Sequence, residues 1–74
     1  MSASPLAVRV FPNEMEARAW AGVLEAAGIP TMVRAEGAGY GLWGHDSFLP
    51  HALYVRPDER ERAEALLPPQ ERVP

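Results

Sequence analysis

Residues 6–34, LAVRVFPNEMEARAWAGVLEAAGIPTMVR, decide the fold. Leu6, Val8 and Val10 alternate with Ala7, Arg9 and Phe11, a period of two that predicts a half-buried strand ended by Pro12. Asn13, followed three residues later by Glu16, reads as a helix start: the Asn side chain accepts from a free backbone N–H and the Glu reaches back to the cap. From there to about residue 27, Ala17, Trp20, Val23, Leu24 and Ala27 fall on one helical stripe, and Glu14 precedes Arg18 by four in the favourable order. Gly28 supplies the left-handed residue on which helices commonly stop. Residues 29–34 predict a second strand, and Pro30 near its start points to a sheet edge, because proline cannot donate to a ladder.

The rest of the chain extends this unit. Residues 52–56, ALYVR, predict a third strand, with Leu53 and Val55 alternating against Tyr54 and Arg56. Asp58 and Glu61 repeat the capping box, Arg60 and Glu64 repeat the four-residue ion-pair spacing, and Pro68-Pro69 stops the second helix near residue 67. Residues 1–5 read as a loose start, 6–67 as a single domain and 68–74 as a Pro-rich tail or a short fourth strand. The order is β-α-β-β-α, with an optional last strand. A right-handed crossover sets the first and third strands side by side, the second hairpinned to the third, and both helices on one face. That is an α+β, ferredoxin-like (split β-α-β) plan.

Composition narrows the classes. The chain has 74 residues, a formal charge of -3, 47% hydrophobic residues and no Cys, and all seven of its basic residues are Arg. A disulfide scaffold and thiolate metal or redox chemistry are excluded. No apolar run approaches the roughly 18 residues of a membrane span, and no signal peptide is recognisable, so a cytoplasmic protein without membrane contact is expected. A chain this short buries only about 60% of its unfolded surface, and without disulfides or metal it is expected to homo-oligomerise.

Glu16-Ala17, residues 24–30 (LEAAGIP), residues 53–59 (LYVRPDE) and residues 63–67 (AEALL) together resemble the prokaryotic signal-transducing protein family, small domains of unknown function. The resemblance spans about residues 6–67. It implies a PII-like branch of the ferredoxin-like folds and a signalling or regulatory role, and it carries over no catalytic residues.

Two surfaces are candidates for function. The first is the segment 36–51, EGAGYGLWGHDSFLPH, long for a hairpin connection. Its glycines allow close backbone approach, and Tyr40, Trp43 and Phe48 supply ring surface. It reads as a flap over a ligand or partner, or as rings that pack on a neighbouring subunit or back on the sheet. No helix follows the glycines, as a dinucleotide site requires. His45, Asp46 and His51 match no compact zinc spacing, so no metal and no cofactor is expected. Ser47 beside Asp46 and His45 is no triad by adjacency, and the chain is not expected to be an enzyme.

The second surface is the sheet face away from the helices. Strict alternation sends Arg9, Phe11, Met32, Arg34, Tyr54 and Arg56 there, opposite Leu6, Val8, Val10, Val33, Leu53 and Val55. Arginine interleaved with aromatics is typical of protein interfaces. The pI near 5.2 and the absence of Lys argue against nucleic acid. The sequence thus predicts a small regulatory or signal-transducing interaction domain, acting through self-association and partner or effector binding. Its expected site residues are Arg9, Phe11, Arg34, Tyr40, Trp43, His45, Tyr54 and Arg56. The alternative is a sensor in which an anionic metabolite sits between the Gly/aromatic segment and the sheet arginines.

Overall fold

The computed structural model describes residues 4–36 and 49–69. The α+β class expected from the sequence is present. In chain order come β1 (Leu6–Phe11), α1 (Glu14–Ala26), β2 (Thr31–Ala35), β3 (His51–Val55), a single 3-10 turn over Pro57–Glu59, and α2 (Arg60–Leu66). The 3-stranded sheet has the order β1-β3-β2, with β3 antiparallel to both neighbours. The suggested fourth strand falls outside the described residues.

Local chemistry explains the ends of α1. The Asn13 Oδ1 accepts from the Glu16 N–H at 2.9 Å, which satisfies one of the free donors of the first turn. At the other end the Ile29 N–H donates to the Leu24 carbonyl and the Gly28 N–H to that of Glu25, both at 2.9 Å. This bond pair is a Schellman motif, and it needs a left-handed residue. Gly28 provides it with φ 86. The motif also folds Ile29 back on Leu24, and both are fully buried.

The core lies between one sheet face and both helices. It contains Val8, Phe11, Leu53 and Val55 from the sheet, Ala17, Ala21 and Leu24 from α1, Ala63 and Leu67 from the α2 region, and Ile29. The buried stripe of α1 runs through Ala17, Ala21 and Leu24, with Trp20 half-buried beside it. Val23 is 43% exposed and Ala27 is exposed, so the helix is rotated from the stripe that spacing alone suggests. The second capping box does not form. Asp58 pairs instead with Arg56, at 3.1 Å, and the chain enters α2 through the 3-10 turn with no side-chain cap.

The decisive departure from simple alternation is a β-bulge in β1. Ala7 pairs with Tyr54, but the next pair is Arg9 with Leu53, so Val8 is an extra residue. An extra residue shifts every later side chain to the opposite face. Arg9 and Phe11 therefore stand on the helix side with Leu53 and His51, and Val10 faces away with Ala52. This corrects the expected face: Arg9 and Phe11 do not share a surface with Arg34 and Tyr54. Phe11 is a core residue, 6% exposed, whereas Val10 is 47% exposed.

The bulge can be read from stability. Phe11→Ala is expected to cost about 3–5 kcal/mol as a core truncation. Val10→Ala is expected to stay within about 0.5 kcal/mol as a surface change. Urea unfolding of the two variants decides between the bulged and the regular strand, since regular alternation predicts the reverse order.

Candidate functional site

Two surfaces with different chemistry emerge, one on each side of the sheet. On the helix side, the bulge aims Arg9 at the segment that follows α2. Its Nε donates to the Pro68 carbonyl at 2.8 Å and its Nη1 to the Val8 carbonyl at 2.7 Å. These bonds hold the guanidinium, and Arg9 lines an open groove of about 530 Å³ together with Val10, Phe11, Pro12, Glu16, Trp20, Pro68 and Pro69. A partly buried arginine held by two carbonyls keeps its remaining N–H groups for an acceptor from outside. Spacing placed Trp20 on a core stripe and the prolines at a helix stop. Their shared groove depends on the bulge, which has no local signature.

On the open side lie Ala7, Val10, Met32, Arg34, Ala52 and Tyr54, as the strand pairing dictates. Val10 and Met32 are 47% and 41% exposed. The Arg34 guanidinium carbon is 6.0 Å from the Tyr54 ring centroid, within reach of a cation–π attraction. The Tyr54 hydroxyl donates to the Glu36 Oε2 at 3.3 Å. Arg34, Tyr54 and Glu36 thus form a short polar run on the face that also exposes Val10 and Met32.

The arginines divide by their partners. Arg18, Arg56, Arg60 and Arg62 each hold a carboxylate, those of Glu14, Asp58, Glu64 and Glu59. Arg9 and Arg34 have no ion pair with a described residue. Arg56 follows the end of β3 and lines a shallow hollow of about 160 Å³ with Pro5, Pro30, Met32 and Tyr54. Arg9 therefore stands on the opposite side of the sheet from Arg34, and Arg56 shares the Tyr54 neighbourhood of the open face.

Tyr40, Trp43, His45 and Asp46 lie outside the described residues. His51 belongs to β3, where it is buried at 3% exposure and its ring Nδ1 lies 2.8 Å from the Leu49 carbonyl. With Nδ1–H as the donor, this bond orients the ring and fixes its tautomer. Among the described residues no three His, Asp or Glu side chains come together as a metal site. No helix among them is long and apolar enough to cross a membrane.

Arg9 links β1 to the chain after α2 through the Pro68 bond, and its replacement has a defined consequence. Arg9→Ala is expected to lower stability by about 1–2 kcal/mol, the net worth of charged hydrogen bonds at a part-exposed site. It should also speed amide exchange at Leu67. Unchanged exchange there would mean that the Pro68 bond does not anchor the segment. Comparison of the chain with family models, with curated proteins and with solved structures returned no match.

Proposed function

We propose that this chain is a small regulatory interaction domain of ferredoxin-like plan, acting in the cytoplasm through self-association and through binding a protein partner or effector, with no chemistry of its own. The open sheet face is the observation that carries this reading. Val10 and Met32 are exposed on the same face as Arg34, which lies beside Tyr54 and has no ion pair with a described carboxylate. Apolar surface around an aromatic-supported arginine suits a partner that brings an apolar patch with a carboxylate near its centre. The resemblance of residues 6–67 to prokaryotic signal-transducing domains supports the same role.

A tagged protein captured from its native extract tests the reading. Met32→Glu and Arg34→Glu are surface changes and are expected to keep the fold, read by an unchanged thermal midpoint. Each is expected to lose a partner that the wild-type protein retains. Equal retention by wild type and both variants would remove the open face from the interaction.

One observation favours a second reading. Arg9, held by two carbonyls in a groove lined mainly by apolar residues, with Glu16 also in the lining, suits an organic anion with an apolar body. In this sensor reading a carboxylate or phosphate ligand raises the melting temperature through linkage, and Arg9→Lys weakens the effect. A panel of such anions that leaves the melting temperature unchanged would remove it.

A further inference from the structure

The outer edge of β2 carries backbone groups in a self-complementary pattern. The Glu36 N–H donates to the Pro50 carbonyl at 2.8 Å across the β2–β3 pair. In an antiparallel pair, successive residues alternate between exchanging bonds with their neighbour and turning both backbone groups away. Arg34 and Met32 share the parity of Glu36 and bond toward Ala52 and Tyr54, their partners in β3. Thr31, Val33 and Ala35 therefore turn their N–H and C=O groups outward. Since β2 ends the sheet, no described strand meets them.

The two edges of the sheet differ. At β1 the pattern is broken: the bulge at Val8 spaces the outward groups of Ala7 and Val10 unevenly, and Arg9 reaches across to Pro68. Such irregularity protects an edge from another strand. The β2 edge has no bulge, and Pro30 lies before its first residue, not within it. Its outward positions recur at every second residue.

We propose that two copies of this chain pair antiparallel along β2 about a two-fold axis through Val33, joining their sheets into one. This deepens the self-association part of the function proposed above. A two-fold normal to the sheet keeps the helices of both copies on one side, so only residues of like face can oppose each other. An axis through Arg34 would set two arginines directly opposite, which is unfavourable. An axis through Met32 leaves Ala35 without a partner inside the strand. The axis through Val33 pairs it with its own copy and Thr31 with the partner's Ala35, using every outward group of β2 in about six ladder bonds.

Side chains agree with this register. On the open face Met32 opposes the partner's Arg34, so apolar surface meets the guanidinium stem and no like charges stand directly opposite. Arg34 also has Tyr54 of its own chain beside it. On the helix face Val33 packs on the core but is only half-buried. The partner's Val33 would cover its open side.

The absence of Cys allows a direct test. Opposed residues of the non-hydrogen-bonded kind lie about 4.5 Å apart at Cα, within disulfide range. Met32→Cys and Arg34→Cys proteins, mixed and oxidised, are expected to form the mixed disulfide in preference to either homodisulfide. Val33→Pro removes an outward donor and no β2–β3 bond. It is expected to weaken the dimer by about tenfold or more in sedimentation equilibrium while the circular dichroism is kept; Ala35→Pro serves the same purpose if Val33→Pro does not fold. A monomeric wild-type protein at micromolar concentration overturns the proposal and leaves the open-face partner to the capture experiment. A dimer unaffected by the proline variants, with no preference for the mixed disulfide, overturns the β2 pairing and leaves self-association through another surface.

Discussion

Opposite Leu53, β1 offers two residues where a regular ladder has one, and most of the surface chemistry depends on that local count. Beyond Val8 each side chain of β1 is turned over. Phe11 joins the core, Val10 moves to the open face, and Arg9 is left on the helix side, where bare burial would be costly. The two carbonyls that receive Arg9 resolve that conflict and tie the first strand to the end of the last helix. A feature of strand pairing thus becomes a long-range connection across the whole chain.

The arginines fall into two groups by their supports. Four are matched with acids on the chain's exterior, where each pair contributes little to stability. The other two described arginines are supported differently: Arg9 by backbone carbonyls and Arg34 by an aromatic ring. These supports orient a cation without neutralising it. The net charge of -3 therefore coexists with two oriented positive groups, one on either side of the sheet.

What the sequence conveyed was what short-range chemistry determines. Asn13, Glu14 with Arg18, Arg60 with Glu64, and Gly28 act on neighbours within four residues, and each is found in its expected role. The bulge was not legible, because it is defined against β3, more than forty positions away. The rotation of α1 toward Ala21, and away from Val23, was likewise set by what the helix lies on. Asp58 reads as a helix cap in the sequence, but it pairs instead with Arg56 two residues earlier. Of the expected site, Arg34 and Tyr54 stay together, Arg9 belongs to another surface and Phe11 to the interior. Tyr40, Trp43 and His45 fall outside the described residues, and their binding roles remain part of the sequence-based reading.

Alanine occupies most of the buried positions of the two helices. Ala17 and Ala63 are fully enclosed, and Ala21 nearly so, while the volume between helices and sheet is filled by Leu24, Ile29, Leu53 and Val55. A larger residue at Ala17 or Ala63 would have to displace its neighbours, because packed interiors do not expand without strain. In evolutionary terms this divides the chain sharply. The buried alanines constrain substitution by volume, while the exposed positions of the described helices and strands carry no such constraint. A new side chain on the outside leaves the interior untouched, whereas one added methyl group at Ala17 or Ala63 reaches every element packed there.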